Sequence, residues 1–204
     1  MAFRTVGVIG SGSLGQAIAR RVVGAGLDVL IANTRGPLSL AGLVSKLGPN
    51  AFAVKPSAAA HADLVILAIP FVRVPELADE VKDWSGTVVV DATNQWATYE
   101  PTYGGYVDLG EETATEWVGR LLPGSTMLKA FNAMFADHLR PNPGHDEGRQ
   151  VVFYAGDDSG ACALFAEFVD LMGFAPVYMG SLRDGGRLME LGGPLSGLHV
   201  IKQD

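Results

Sequence analysis

The chain has 204 residues, 48% of them hydrophobic and 18% charged, which suits one folded domain and excludes an intrinsically disordered chain. Its formal net charge of -7 argues against nucleic acid or an anionic membrane surface as the main partner. A single cysteine excludes an internal disulfide framework, no apolar run approaches the roughly 18 residues of a membrane helix, and no signal-peptide cleavage site precedes residue 10, so we expect a cytoplasmic protein.

Strand and helix patterns alternate along the first half of the chain. They predict a strand at 6–9, a helix at 13–24, a strand at 29–32, a helix at 38–47, strands at 51–54 and 64–69, a helix at 75–83 and a strand at 87–90. The run at 64–69 is apolar throughout, as expected for a strand covered on both faces. Residues 95–110 are rich in aromatic residues and glycine without a clear period, and we expect a long loop there.

The second half continues the alternation. It predicts a helix at 111–122 headed by Glu111 and Glu112, a strand at 126–130, a polar loop at 140–149, a strand at 151–155, a helix at 158–172, a strand at 175–179 and a helix at 183–191. Such alternation is typical of the doubly wound α/β class, with a mostly parallel sheet and helices on both faces. We expect one domain over residues 1–204, in which 1–94 form a nucleotide-binding half and 95–204 extend the sheet and supply the acceptor-side loops.

The most informative motif is a glycine-rich turn between the first strand and the first helix, Gly10-Ser11-Gly12-Ser13-Leu14-Gly15. Gly10 permits a tight exit from the strand, and Gly12 lets the backbone approach a pyrophosphate. Gly15 lets the helix pack closely on the strand, so that its N-terminus offers free N–H groups and a partial positive charge. The turn therefore predicts a dinucleotide-binding site, since its position favours this over a purely structural turn.

The end of the second strand indicates which dinucleotide is bound. NAD-specific sites place an acidic residue there, but this chain has Asn33, Thr34 and Arg35, while Asp28 lies at the opposite end of the strand. An arginine fork suits a 2′-phosphate and stacks on adenine, and the threonine hydroxyl adds a donor. We favour NADP over NAD. The alternative is that Arg35 is a solvated loop residue and the site takes either cofactor.

Polar and rigid residues also follow the fourth and fifth strands, where ligands bind in open α/β sheets. Ile69 and Pro70 end the fourth strand. The proline holds Ile69 extended and forms a rigid wall of the site, or it simply ends the strand, and the two roles can hold together. Asp91 and Asn94 flank the end of the fifth strand; they either reach a nicotinamide ribose or build a turn. We include Asn94 among the cofactor-binding candidates.

The sixth strand ends in a segment with an ammonium, an aromatic ring and a carboxamide, Lys129-Ala130-Phe131-Asn132. Ala130 and Asn132 are further candidates for cofactor binding. Lys129 is expected either to be buried against the sheet or to hold the loop by hydrogen bonds. Spacing alone does not make it a general acid.

Other chemistries have little support in the sequence. The four histidines, at positions 61, 138, 145 and 199, are scattered without a paired spacing or thiolate neighbours, so we expect no metal site. No Gly-x-Ser-x-Gly elbow is present, which argues against the simplest hydrolase. Ser11 and Ser13 are better explained as phosphate-loop hydroxyls than as nucleophiles. We therefore nominate no catalytic residue.

Several segments together resemble the NADPH-dependent reductases of coenzyme F420, a deazaflavin, and the related oxidoreductase domain of the STEAP metalloreductases. The resemblance runs from about residue 6 to residue 194. The segments that carry it are the glycine turn, Asn33-Thr34-Arg35, Ile69-Pro70, Lys129-Ala130-Phe131-Asn132, Ala155-Gly156-Asp157-Asp158, Gly180-Ser181-Leu182, Arg187 and Glu190.

This resemblance implies an NADP-binding Rossmann fold with a sheet of about eight strands, and a second redox ligand facing the nicotinamide across a cleft. The contacts it implies are Ser11, Ser13 and Leu14 for the pyrophosphate, Thr34 and Arg35 for the 2′-phosphate, and Ile69 and Pro70 for the nicotinamide ribose. The F420 reductases have a histidine in the loop after the sixth strand, where this chain has residues 131–134, Phe-Asn-Ala-Met. The second redox ligand is therefore coenzyme F420, a flavin or another small acceptor.

Chain length separates this sequence from other families with the same opening motif. Hydroxyacid, phosphogluconate and pyrroline-carboxylate enzymes add an all-helical domain, whereas here the roughly 70 residues after Asn132 carry two more strand patterns. A lysine-catalysed hydroxyacid chemistry is thereby disfavoured.

The leading hypothesis is an NADPH-dependent oxidoreductase that transfers a hydride between NADP(H) and a small redox acceptor. The alternative is a non-catalytic NADP(H) sensor whose occupancy controls a partner protein. The resemblance also implies a homodimer, and the apolar tail at 191–200 is expected either at that interface or against its own core.

Overall fold

The computed structural model describes residues 4–98 and 105–203. The strands are β1 Thr5–Ile9, β2 Asp28–Ala32, β3 Ala51–Ala53, β4 Leu64–Leu67, β5 Val88–Asp91, β6 Thr126–Ala130, β7 Gly144–His145, β8 Gly148–Gly156, β9 Ala175–Tyr178 and β10 Ile201–Lys202. The α-helices are α1 Ser13–Gly24, α2 Ala41–Leu47, α3 Pro56–Ala59, α4 Val74–Glu80, α5 Ala114–Leu121, α6 Ser159–Leu171 and α7 Arg187–Met189. Short 3₁₀ turns cover Pro37–Leu40, Phe71–Arg73 and Ala136–Leu139, and a π-helical turn covers Leu182–Gly186.

The six strands β1 to β6 form a parallel sheet in the order β3-β2-β1-β4-β5-β6. Val8 of β1, for example, lies between Ile31 of β2 and Ile66 of β4. The strand order reverses between β1 and β4, and this reversal opens a crevice at the carboxyl ends of the strands, where doubly wound proteins bind ligands. The doubly wound, mostly parallel fold predicted from the sequence is confirmed.

The sheet has ten strands among the described residues, two more than expected, and its far side is antiparallel. β8 runs against β6, with Ala130 opposite Tyr154. Because β8 begins at Gly148, its first half continues past the carboxyl end of β6. β7 and β10 pair antiparallel with this projecting half, and β9 pairs with β8 in parallel. The two extra strands, β7 and β10, have two residues each, too short to show a period in the sequence.

Both faces of the sheet are covered, which explains the unbroken apolar run in β4. Leu64 and Ile66 belong to the core cluster under α1 and α6, whereas Val65 and Leu67 belong to the cluster under α4 and α5. All four are fully buried. Each such side chain stabilises the fold by about 2 kcal/mol relative to an exposed position, an upper estimate from burial.

Helix α5 begins three residues later than predicted, because a capping box sets its start. The Thr113 hydroxyl accepts a hydrogen bond from the backbone N–H of Glu116, and the Glu116 carboxylate accepts one from the backbone N–H of Thr113. Glu111 and Glu112 therefore precede the helix rather than head it. Glu112 pairs with Arg120, which lowers the pKa of the Glu112 carboxyl.

Other boundaries moved by a few residues. α4 ends at Glu80 because Val81 has an extended backbone, and the helix predicted at 183–191 divides into the π-helical turn and α7. α3 was missed, although Pro56 stands at its first position. In the loop predicted at 95–110, an isolated antiparallel bridge joins Trp96 and Tyr106, and residues 99–104 lie outside the described part of the chain.

No helix in the two described stretches has both the length and the apolar character needed to cross a membrane.

Candidate functional site

A cavity of about 1020 Å³ opens at the carboxyl edge of the parallel strands. It is lined from β1 across to β5, and also by α4 and the segment after β5. Eleven of the fourteen residues predicted from the sequence line it: Gly10, Ser11, Gly12, Ser13, Leu14, Asn33, Thr34, Arg35, Ile69, Pro70 and Asn94. The remaining three, Gly15, Ala130 and Asn132, are not in its lining. The wider lining includes residues that sequence reasoning did not nominate: Pro56, Phe71, Arg73, Glu76, Leu77, Glu80, Thr93, Trp96 and Thr98.

The three glycines of the turn have different structural requirements. Gly10 has a φ of 123°, and a Cβ there would overlap the carbonyl oxygen of Ala68. A Cβ on Gly15 would overlap the carbonyl oxygen of Gly10, so this glycine allows α1 to pack on the turn. Around Gly12 nothing lies within 4 Å of the Cβ position, which faces open space at the cavity. Two of the glycines are thus needed by the fold, and Gly12 leaves room for a ligand.

The N-terminus of α1 points into this cavity without a side-chain cap. Gly12 is the N-cap and has no capping hydrogen bond, and the first intrahelical bond runs from the Gln16 N–H to the Gly12 carbonyl at 2.9 Å. The amides of the first turn have no acceptor within the helix and carry the positive end of its dipole. Gln16 also donates from Nε2 to the carbonyl of Ser11 at 2.9 Å, which braces the turn. This geometry fits a pyrophosphate.

Asn33 connects the glycine turn to the loop after β2. Its Nδ2 donates to the Ser11 hydroxyl at 3.0 Å and to the Ser39 hydroxyl at 3.1 Å, and its Oδ1 accepts from the backbone N–H of Arg35 at 3.0 Å. Its carboxamide thus contacts both the glycine turn and the loop after β2. Asn33 therefore shapes the loop that carries Thr34 and Arg35.

Thr34 and Arg35 are exposed at one end of the cavity, where a cation can meet an anionic ligand. Asp28 lies at the start of β2, at the other edge of the sheet, and accepts a hydrogen bond from Asn50 at 2.8 Å. On the cavity wall formed by the 3₁₀ turn and α4, the carboxylate of Glu76 pairs with Arg73. The arrangement matches the predicted preference for a 2′-phosphate over a free ribose hydroxyl.

At the end of β4, Ile69 and Pro70 form part of the wall. The backbone N–H of Ala68 donates to the Ile9 carbonyl at 2.8 Å, so the two strand ends are locked side by side. Pro70 then precedes, as its N-cap, the 3₁₀ turn that leads into α4, and the Phe71 ring contacts Trp117 with centroids 4.6 Å apart. Pro70 thus both ends the strand and lines the site.

Asn132 contacts Asn94 rather than the cavity. Asn94 donates to the backbone carbonyl of Asn132 at 3.1 Å, and Asn132 donates in return to Asn94 Oδ1 at 3.1 Å and to the Met189 carbonyl at 2.7 Å. Ala130 is fully buried in β6. Neither residue lies in the cavity lining, and Asn132 contacts the site through Asn94, so their part in cofactor binding stays a prediction.

Phe131, between them, has a φ of 64°, and no other described non-glycine residue has a positive φ. A bulky residue in this left-handed region is strained, and such strain is common at functional sites. Its ring is buried against Phe165, with centroids 5.6 Å apart. Packing of the ring therefore holds the backbone of this loop in an unfavourable conformation beside the site.

Behind this edge lies a buried ion pair between Lys129 and Asp91. Lys129 Nζ lies 2.9 Å from Asp91 Oδ2, and the side chains are 1% and 0% exposed. Lys129 also donates to the carbonyl of Thr93 at 2.7 Å, and Thr115 donates to Asp91 Oδ2 at 2.6 Å. Lys129 is therefore both buried and engaged in holding the loop, and it does not line the cavity.

Three of the four histidines, expected to be scattered, lie together on the far side of the sheet. The His138 and His199 rings stack with centroids 4.6 Å apart, and His145 lies 6.3 Å from His199. Burial, followed by the two neighbouring imidazoles, lowers the pKa of His199. Within residues 4–98 and 105–203, no group of three or more His, Cys, Asp and Glu side chains is arranged to hold a metal ion.

Comparison with known proteins gives the fold and site a family context. The model of the family described as "NADP oxidoreductase coenzyme F420-dependent" matches residues 5–95. The F420-dependent NADP reductase of Methanothermobacter thermautotrophicus is 30% identical over 147 residues, which cover 64% of this chain and 61% of that protein. Rat metalloreductase STEAP3 is 31% identical over 177 residues, which cover 87% of this chain and 34% of that protein.

Among solved structures, the hypothetical protein SMa0349 of Sinorhizobium meliloti is 36% identical, with a TM-score of 0.91 over 98% of this chain and 96% of that one. The chain spans about a third of the metalloreductase and less than two thirds of the archaeal reductase. The resemblance drawn from the motifs is confirmed. The matched segment contains the glycine turn, the loop after β2 and the ends of β4 and β5, so residues 5–95 of this chain are similar to the coenzyme F420-dependent NADP oxidoreductase family.

Proposed function

We propose that the chain is an NADPH-dependent oxidoreductase that transfers a hydride between NADP(H) and coenzyme F420, a flavin or another small redox acceptor. The observation that carries the proposal is that the uncapped N-terminus of α1 and the loop with Thr34 and Arg35 line the same cavity. These two features supply a pyrophosphate site and a cation for a 2′-phosphate. The family description and the archaeal relative support the same cofactor.

The residues present fit a dinucleotide along its whole length. Gly12 leaves the space that a phosphate requires, and Arg35 stands at the end where the adenine ribose would lie. At the other end, Thr93 and Asn94 offer a hydroxyl and a carboxamide from the end of β5.

When bound, the nicotinamide supplies a hydride to an acceptor. The protein's task is to hold both rings in contact and to exclude water. The residues that line the described cavity include arginines and glutamates but no histidine, cysteine, lysine or tyrosine. This composition suits a direct transfer in which the acceptor receives the hydride and solvent supplies any proton.

The acceptor is the open part of the proposal. The name of the archaeal relative favours a deazaflavin, whereas residues 131–134 directly after β6 contain no histidine, unlike the matching region of the F420 reductases. Trp96 lines the cavity next to Asn94, and its ring lies 5.3 Å from that of Tyr106. An aromatic side chain here suits a planar conjugated acceptor.

Turnover assays with NADPH and each of coenzyme F420, FMN, a ferric chelate and a quinone test the function. We expect NADPH consumption with at least one acceptor, and its loss in Gly12→Val, which fills the phosphate space. Tight NADPH binding without consumption by any acceptor would contradict the enzyme and favour the NADP(H) sensor.

Assembly and location stay predictions. Phe135 is 64% exposed beside the tail, which packs partly on its own core through Leu195 and leaves Leu198 exposed. We propose a homodimer, to be tested by light scattering during size-exclusion chromatography, and a cytoplasmic protein that acts on a small molecule without nucleic acid or membrane partners.

A further inference from the structure

We infer that Lys129 is a positioning residue for the nicotinamide end of the dinucleotide, acting through Asp91 and the turn at Thr93 and Asn94. The inference rests on the proposed function. It assigns a role to a charged pair that lies outside the cavity and that the hydride transfer itself does not require.

The ion pair between Lys129 and Asp91 holds both backbone polar groups of Thr93. The Thr93 N–H donates to Asp91 Oδ1 at 2.9 Å, and the Thr93 carbonyl accepts from Lys129 Nζ at 2.7 Å. The two charges lie 2.9 Å apart, with almost no exposure. Movement of either charged group therefore moves Thr93.

This arrangement of Lys129 and Asp91 around Thr93, here called the clamp, leaves the Thr93 hydroxyl available to a ligand. Thr93 lines the cavity and is 2% exposed, and its hydroxyl is buried without a hydrogen-bond partner among the described residues. A buried hydroxyl without a partner is costly, and a ligand group that bonds to it removes that cost. The adjacent Asn94 is fixed by its exchange of hydrogen bonds with Asn132. The clamp thus prepares a polar edge for the ribose or carboxamide of the nicotinamide.

The clamp at the end of β5 lies far from the loop after β2, at the other end of the site. β5 is separated from β2 by β1 and β4, so the ends of these strands lie about 14 Å apart at the usual spacing of parallel strands. Thr34 and Arg35 follow β2. Loss of the clamp should therefore disturb the nicotinamide end alone and leave the adenine end intact.

Thr115 offers a way to weaken the clamp gently. It lies in the first turn of α5 and donates to Asp91 Oδ2 at 2.6 Å, so that the carboxylate also faces the positive end of that helix. Thr115→Val removes this one hydrogen bond and keeps both charges. It is the milder companion to Lys129→Met, and Asp91→Asn with Lys129→Met removes the charges together.

The test compares two ligands by calorimetric titration: NADP⁺, and 2′-phospho-ADP, which keeps the pyrophosphate and lacks both the nicotinamide and its ribose. In Lys129→Met we expect the Kd of NADP⁺ to rise about tenfold, and that of the shorter ligand to change less than about twofold. Thr115→Val should raise the Kd of NADP⁺ about threefold and change the Kd of the shorter ligand less. Val169→Ala, in the α6 core away from the site, is the matched control for lost stability and should leave both affinities unchanged.

Equal weakening of both ligands, or no change in a folded variant, would overturn the inference. If Lys129→Met does not fold, the double variant and Thr115→Val decide the question by the same ratio of affinities. Failure of the wild-type chain to bind NADP⁺ would instead overturn the proposed function, and the inference with it.

Discussion

The side chain of Asn33 donates a hydrogen bond to the hydroxyl of Ser11 over 3.0 Å. This bond joins the loop after β2 to the glycine turn after β1, although 22 residues separate the two partners in the sequence. The glycine turn and the loop with Arg35 therefore form one connected surface, and a change in one displaces the other.

Asn33→Ala should weaken NADP⁺ binding about tenfold, because it releases both the Ser11 hydroxyl and the backbone N–H of Arg35. Ser39→Ala is the matched control. Ser39 bonds to the same carboxamide from the other side, without touching the glycine turn, and we expect less than a threefold effect. Calorimetric titration measures both. An equal effect of the two substitutions would contradict the connection through Ser11.

Arg35→Ala should weaken NADPH by about tenfold to a hundredfold, because a charge-assisted hydrogen bond to a 2′-phosphate is lost. NADH, which lacks that phosphate, should change less than about twofold. Arg183→Ala, an exposed arginine outside the cavity, controls for the change in net charge. Fluorescence titration with the two reduced cofactors measures the ratio. Equal losses for NADPH and NADH would assign Arg35 to adenine stacking instead.

Two glycines of the turn, Gly12 and Gly15, should respond differently to alanine, with Gly24 of α1 as the control. Gly12→Ala should fold and lose about 1 kcal/mol or less of unfolding free energy, because no protein atom lies near its Cβ. It should bind NADPH poorly, because the Cβ enters the space proposed for a phosphate. Gly15→Ala should lose about 3 kcal/mol of unfolding free energy, because its Cβ overlaps a backbone oxygen. Gly24→Ala, at the end of α1, should be slightly stabilising and leave binding unchanged. Urea denaturation and cofactor titration of the three variants test this order.

Lys129→Met should lower the free energy of unfolding by about 3 kcal/mol, because it leaves the buried Asp91 carboxylate without its cation. Adding Asp91→Asn should restore part of that loss, since two neutral side chains remove the unpaired charge. Urea denaturation of the single and double variants provides the comparison. A double variant less stable than Lys129→Met would show that the carboxylate is stabilised mainly by Thr93 and Thr115.

Stability should fall as the pH is lowered through the range in which His199 titrates. Its pKa in the folded chain lies below the ordinary value, so the folded state favours the neutral ring. The contribution of His199 to the free energy of unfolding is fully present above its unfolded pKa of about 6.5. It is lost as the pH falls through the lower pKa of the folded state. Melting temperatures between about pH 7.5 and pH 5 should decline less steeply in His199→Gln. An unchanged slope would exclude the stacked pair with His138 as the cause.

The first half of the sheet was predictable because its signals are local. The strand, turn and helix around Gly10 to Gly15 occupy consecutive residues, and the run at 64–69 reports burial on both faces directly. Even the position of Asp28, at the wrong end of its strand, could be deduced from sequence order alone. These features required no knowledge of distant partners.

Features that depend on distant partners were not predictable in the same way. Lys129 and Asp91 are 38 residues apart, and the sequence could not show that the lysine faces the carboxylate rather than a ligand. The stack of His138 on His199 arises because β10 returns to pair with β8. The left-handed backbone of Phe131 has no sequence signal, since a phenylalanine is an unusual residue for it.

The half of β8 that projects past β6 has a consequence for the order of assembly. The backbone N–H of Gly197 donates to the carbonyl of Ala133 at 2.9 Å, and the N–H of Val151 donates to the carbonyl of Val200 at 2.8 Å. Strands β1 to β5 are all synthesised before residue 95, and domains begin to form from the N-terminal side during translation. The loop beside β6 reaches its final geometry only after the tail has left the ribosome, so the contact of Asn132 with Asn94 is completed later than the cavity lining, which lies within residues 9–98.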